Sequence, residues 1–346
     1  MLFRSPQTLP FASGDPAGDA ASRQRFDGAR INFIALMLCL MMGTAAMPHV
    51  LTRYYTTPSA SQARRSVAWS LLFITLLYLA APALAVLVKY EVLQHLVGTP
   101  IDHLPQWVNR WSRLDPNLVS VRDMNGDGLL QLGELSLASD VIVLAAPEIG
   151  GLPYWVTCLV AAGGLAAALS TADGLLLTIA NALSHDIYYR VINPRASAAG
   201  RVIASKVLVM VTALLAASFA ALKITDILQF VSAAFSLAAA AFFPALVLGI
   251  FWRRANRPGA VAGMLTGLAV CGWYMATNLP FLRTLLGVTR PLADFQWWGV
   301  EPIAAGVFAV PAGLLVMVLV SWHTAPPSDE QLALIDRMHY PAPGER

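Results

Sequence analysis

Long apolar runs separated by short polar connections dominate this chain, and the runs are of helix length rather than strand length. They fall at about 31–51, 67–89, 152–182, 202–222, 227–252, 259–276 and 302–322. A helix of about twenty apolar residues suffices to cross a hydrocarbon core. The pattern therefore predicts an all-α membrane protein with about seven transmembrane helices. The first run reads as a broken helix, because Gly43 and Pro48 both loosen the hydrogen-bond ladder. In a bilayer, freed backbone groups are tolerated where they are buried in protein or line a cavity. A proline kink with only a packing role is the alternative. Residues 1–30 mix Pro, Gly, Ser and charges and read as a polar outer segment. Residues 90–140 form one long outer loop, acidic in character, with Trp107 and Trp111 of the kind found at membrane interfaces. The stretch 140–153 is apolar but too short to cross and reads as a re-entrant or capping hairpin. A polar tail, 323–346, closes the chain.

Composition fixes the solvent in which these runs must be stable. At 57% hydrophobic and 12% charged residues, with mean hydropathy +0.61, the chain lies outside the range of soluble domains. The net charge of +3 is too small to indicate a nucleic-acid partner. No P-loop, GxSxG, HExxH or CxxC is present, so neither an ATP-driven pump nor a hydrolase has support, and no enzyme is expected. Cys39, Cys158 and Cys271 all lie in apolar runs and read as small hydrophobes. Basic residues choose the orientation. Arg53, Arg64, Arg65, then Arg190, Arg195, Arg201, then Arg253, Arg254, Arg257 and the tail alternate with loops holding Lys223, Arg283 and Arg290. The denser set is placed in the cytoplasm, with the N-terminus outside and the C-terminus inside a cell's inner (plasma) membrane.

Within the third run, GGLAAALSTADGLLLTIANALSHD carries unusual oxygen chemistry at mid-depth. Ala167, Ser170 and Thr171 are spaced i, i+3, i+4 and share one helix face. One carbonyl and two hydroxyls can therefore converge, a donor set suited to a hard cation without a buried anion. The alternative is that both hydroxyls bond back to carbonyls of the preceding turn. Asp173 is costly at that depth and flanks the same face, which suggests a gating or supporting role. His49 reads as interfacial, and Lys206 as a snorkelling residue.

A second motif lies in the outer loop. Asp123, Asn125, Asp127, Gly128 and Glu134 match positions 1, 3, 5, 6 and 12 of an EF-hand calcium loop, with apolar Leu130 at position 8. Side-chain oxygens of Asp123, Asn125, Asp127 and Glu134 with the Leu129 carbonyl would enclose Ca2+, ordering the loop. A solvated acidic loop with a chance match is the alternative.

Three blocks, MGTAAMPHVLTRYYT, LSTADGLLLTIANALSHDIY and AFFPALVLGIFWRRANRPGAVAGMLTG, occur in that order, and together they resemble the sodium:solute symporter family in its acetate and monocarboxylate permease branch. The resemblance implies a leucine-transporter-type helical bundle, of which this chain holds the second inverted repeat plus two extra spans. It also implies Na+ as coupling ion, with Ala167, Ser170 and Thr171 as sodium-binding residues. Their remaining ligand partners lie on a first helix this chain lacks, so the N-terminal half of such a transporter is an expected partner. The implied solute is a short monocarboxylate such as acetate. A helix N-terminus at Gly43, Thr44 and Ala45 could hold its carboxylate, and Gln229 and Ser236 lie on a span resembling the tenth core helix, where they face the solute path or, as the alanines around them suggest, serve small-residue packing. A membrane solute sensor and a remnant without transport remain as competing readings.

Overall fold

A computed structural model describes residues 17–52, 57–138, 141–222, 227–289, 291 and 294–339, with backbone only at 334 and 337–339. Arg53, Asp140, Lys223, Arg290 and residues 1–16 and 340–346 lie outside the described residues. Seven helices are long and apolar enough to cross a membrane, and the only sheet among the described residues has two short strands. The chain is an all-α, multi-pass membrane protein. It divides into two compact units, one formed by Arg64–Gly174 and the other by Phe11–Ala63 with Leu175–Arg346.

The first unit contains most of α3 (Ala60–His95), α4 (Gln106–Leu114), strands β1 (Val119–Val121) and β2 (Leu135–Leu137), α5 (Ile142–Ile149) and most of α6 (Tyr154–Asn181). The hydrophilic loop is a folded cap with its own core. Val92, Leu96, Trp107, Val119, Leu130 and Ile142 are among its buried members. Trp107 and Trp111 are placed here, not as interfacial anchors. They sit one turn apart on amphipathic α4, so both face the cap's core. The expected hairpin at 140–153 is instead the single helix α5, closed at Gly151 with φ +68°. Its Glu148 carboxylate, nearly buried, pairs with Arg110 at 3.1 Å.

The second unit packs α8 (Ile227–Phe251), α9 (Arg257–Asn278) and α11 (Gly306–His323) against one another, with α1 (Ala20–Ala46) on α8. Close approach is achieved by small residues. Gly259, Gly263 and Gly267 recur every four residues on α9. A Cβ at Gly263 would lie 2.7 Å from the Met317 Cβ and 2.8 Å from the Gly313 carbonyl oxygen. Gly259 and Gly267 are equally closed, against Ser321 and the Ala240 backbone. Dispersion between tightly apposed backbones is what holds apolar helices together in lipid. Asn256 clasps one end of the pair. Its Oδ1 accepts from Gly259 N, while Nδ2 donates to the Thr324 hydroxyl and the Ala325 carbonyl. At the other end the Tyr274 hydroxyl donates to the Val300 carbonyl at 2.7 Å.

Further helices belong to this unit, among them the short α10 (Pro280–Leu285) after α9. A wide π segment, Ala182–Ile192, extends α6 and packs on α7 (Ala198–Ala221). The tail forms α12 (Asp329–His339), whose Asp336 pairs with Arg253 at 2.6 Å. Residues 20–30, within the polar segment read over 1–30, are also helical. Asp19 caps α1 by accepting from Ser22 N at 2.8 Å, which starts the helix well before its apolar stretch.

Candidate functional site

The hydroxyl face of α6 forms as an unbroken α-helix within Tyr154–Asn181. Thr171 Oγ1 donates to the Ala167 carbonyl at 3.1 Å. The back-bond expected as the alternative reading is therefore made by Thr171, and it is also what brings two of the three candidate ligand oxygens side by side. The Thr171 hydroxyl oxygen keeps its own acceptor capacity, whereas the Ala167 carbonyl accepts both the Thr171 amide of the helical ladder and this hydroxyl. Ala167, Ser170, Thr171 and Asp173 are all exposed.

On α1 the break falls later than expected. Gly43 lies inside a continuous helix that ends at Ala46, and the chain turns at Met47 (φ −66°, ψ 121°) before the short helix α2 (Pro48–Leu51). Pro48 starts α2, where its missing N–H costs nothing. Gly43 has a packing reason instead: a Cβ there would come within 2.5 Å of the Phe235 carbonyl oxygen on α8. Gly43, Thr44 and Ala45 consequently present the C-terminal end of a helix, which offers carbonyl oxygens and not amides. The Thr44 hydroxyl donates to the Leu40 carbonyl at 2.7 Å. The carboxylate cradle read into 43–45 is corrected on this ground, since the amides it needs are inside the helical ladder.

Ser236 is fully buried on α8 and donates to the Ile303 carbonyl at 2.6 Å. It fastens α8 to the turn at 302–304 and does not line an open path, whereas Gln229 is exposed. Ser232, one turn earlier on the same face, was not singled out by sequence. It is fully buried and its hydroxyl has no hydrogen-bond partner. Serine four residues before Ser236 in an alanine-rich helix was the available signal, and such an orphaned hydroxyl calls for explanation.

In the cap, Asp123–Glu134 adopts a tight loop with Gly126 and Gly128 at φ +75° and +71°. Asp123 accepts from the amides of Gly126 and Gly128, and Glu134 from those of Met124 and Gln131. Asp127 accepts from the Leu129 amide at 2.8 Å and from the Asn125 and Gln131 side chains. The Leu129 amide, with the Asn125 side chain next in weight, holds the Asp127 carboxyl below its ordinary range. Leu130 exchanges backbone bonds with 98–99, so its side chain seats in the core, while the Leu129 carbonyl takes no part in that ladder. As placed, the carboxylates serve the loop's own amides, and among the described residues no three acidic, His or Cys side chains form a metal-holding group.

The chain is similar to known transporters over most of its length. The model of the sodium:solute symporter family matches residues 138–267. An uncharacterized symporter of Cupriavidus necator is 55% identical over 320 residues, which are 92% of this chain and 46% of the relative. A monocarboxylic acid transporter of Corynebacterium glutamicum is 32% identical over 290 residues, 83% of this chain and 45% of that protein. The chain thus spans about half the length of the curated relatives it matches. The matched residues run through α6 with its hydroxyl face and on through α8 into α9, and over them the chain is similar to the sodium:solute symporter family.

Proposed function

We propose that this chain forms part of a sodium-coupled secondary transporter for a small organic solute, a short monocarboxylate such as acetate. The match to the sodium:solute symporter family supports solute transport, and the similarity to a monocarboxylic acid transporter supports the solute class. The observation that carries the sodium reading is the placement of Thr171 Oγ1 and the Ala167 carbonyl oxygen 3.1 Å apart, beside exposed Ser170. A hard cation with oxygen ligands at about 2.3–2.6 Å would take the Ala167 carbonyl in exchange for one of the two hydrogen bonds it now accepts. Remaining ligands come from a polypeptide segment equivalent to the other half of the relatives, and Asp173 acts as a gate beside the ion. Sodium and solute favour the same closed arrangement, which couples their binding. The basic loops face the cytoplasm of a cell with the bilayer as its inner (plasma) membrane.

Labelled acetate uptake into proteoliposomes, with the chain alone and with the other half of a relative supplied, tests this. Uptake driven by an inward sodium gradient and not by potassium is expected, with Ser170→Ala and Thr171→Val each raising the sodium requirement about tenfold or more. Sodium-independent uptake, or unchanged sodium dependence in both variants, refutes the assignment.

We also propose that Asp123–Glu134 binds Ca2+ weakly, with Asp123, Asn125, Asp127, Glu134 and the Leu129 carbonyl as ligands. The positive φ at Gly128 and the free Leu129 carbonyl support it. Binding requires Asp127 and Glu134 to turn from the loop amides to the ion. A dissociation constant on the order of 10⁻⁴ to 10⁻³ M is expected by calorimetry. A heat of binding that Mg2+ reproduces, or that Glu134→Gln leaves intact, overturns the proposal.

A further inference from the structure

Between the π segment and α7 runs an apolar groove of about 570 Å³, walled by Ile187 and Ile192 on one side and Ile203, Ala204 and Val207 on the other. Its α7 wall extends from Gly200 to Leu208, about 12 Å at the helical rise. The groove follows from the π geometry. A wider turn carries its side chains on a different period from α7, so the two surfaces meet without interdigitating. At one end of the groove lies the turn between Asn193 and Ser197, tied by Asn193 N to the Tyr188 carbonyl.

That end is strongly basic. The Arg201 guanidinium lies 3.6 Å from the Tyr189 ring centroid, with Nε donating to the Ala196 carbonyl. These two contacts fix the guanidinium beside the turn through its Nε and its stacked face. Arg195 is exposed, and Arg190 is 67% exposed with only a 4.0 Å contact to Asp186. Asp186, with His185 beside it at 3.0 Å, is the acidic group at this end, and Lys206 stands further along α7. Three guanidinium groups against one carboxylate leave an excess of positive charge at the mouth of a predominantly apolar groove.

We infer that this groove is a binding site for one anionic phospholipid, its acyl chain lying between Ile187 and Ala204 and its headgroup phosphate held by Arg190, Arg195 and Arg201. The two halves of the site match the two halves of that ligand, and each explains what the other leaves over. A basic rim alone would attract any anion, and an apolar groove alone any chain. Basic pockets between membrane helices are the known form of such recognition, and a planar fork suits a phosphate oxygen pair better than an ammonium does. The inference does not depend on the transport reading.

The test uses the full chain purified in detergent and native mass spectrometry to count retained lipid. Phosphatidylglycerol and phosphatidylcholine with identical acyl chains are the probes. One phosphatidylglycerol is expected to stay bound at detergent levels that strip phosphatidylcholine. Replacing Arg195→Gln and Arg201→Gln together should weaken retention on the order of tenfold or more, from roughly fivefold per basic side chain. Ala204→Trp, which fills the groove, should abolish it, whereas Arg64→Gln should leave it unchanged. Circular dichroism checks that each variant keeps its helix content. Equal retention of both lipids overturns the inference, as does retention unaffected by the arginine pair. Retention that survives Ala204→Trp in a folded protein also overturns it, because the chain would then lie elsewhere.

Discussion

Two glycines on α9 offer a controlled measurement of what close helix packing contributes. Gly263→Ala and Gly272→Ala insert the same methyl group into the same helix. Each gains about 0.8–1 kcal/mol of helix propensity. At Gly272 the new Cβ meets nothing within 4 Å, so that gain should appear as added stability. At Gly263 the methyl would stand 2.7 Å from the Met317 Cβ and 2.8 Å from the Gly313 carbonyl oxygen. Contacts this short force α9 and α11 apart, and overpacking of this kind costs about 1–3 kcal/mol. The propensity term cancels in the comparison, so the two variants should differ by about 1–3 kcal/mol, or roughly 5- to 150-fold in the folded-to-unfolded ratio. Reversible unfolding in mixed micelles, followed by far-ultraviolet circular dichroism, reads this directly. Equal midpoints for the two variants would show that the α9–α11 contact is looser than described and would refute the packing account. A Gly263→Ala protein more stable than wild type would do the same.

Three other outcomes follow from described contacts. Ser236→Ala removes the donor to the buried Ile303 carbonyl and should cost about 1–3 kcal/mol in the same unfolding assay, with no loss meaning that the bond is not made. Arg110→Ala leaves the nearly buried Glu148 carboxylate unpaired and should destabilise the cap by about 1–2 kcal/mol, seen in tryptophan emission during denaturation; Arg110→Ala with Glu148→Gln should recover part of it. Because Asp127 is held below its ordinary value of 3.8 when folded, its contribution to loop order is present above that value and is lost as pH falls through the depressed one. The Leu129 amide resonance should therefore titrate with a midpoint below 3.8, and a midpoint at or above 3.8 would contradict the hydrogen bond to that amide.

The elements most legible in the sequence were those whose signal is local. Apolar runs of membrane length read as helices because nothing in their surroundings competes with that solution in lipid. The hydroxyl face of α6 was equally legible, since i, i+3, i+4 spacing places Ala167, Ser170 and Thr171 together in any helix. What misled were residues with two physical uses. Gly43 loosens a helix in isolation, yet here it lets Phe235 approach, and only the neighbouring helix reveals which use applies. Trp107 and Trp111 suit an interface by composition, but α4 turns both toward a core built by segments up to Ile149. Ser236 reads as a path-lining hydroxyl until its acceptor, 67 residues away, is known. The start of α1 was missed because Asp19 caps a polar turn that carries no apolar periodicity.

The clasp at Asn256 has a mechanical meaning. With its amide joined to Gly259, Thr324 and Ala325 at one end, and Tyr274 anchored to Val300 at the other, α9 and α11 are pinned twice along a seam that has no room for sliding. Such a pair behaves as one beam. Flexing within this unit must therefore be taken up at joints outside the beam, and the turn at Met47, where the backbone leaves helical geometry between α1 and α2, is one such joint.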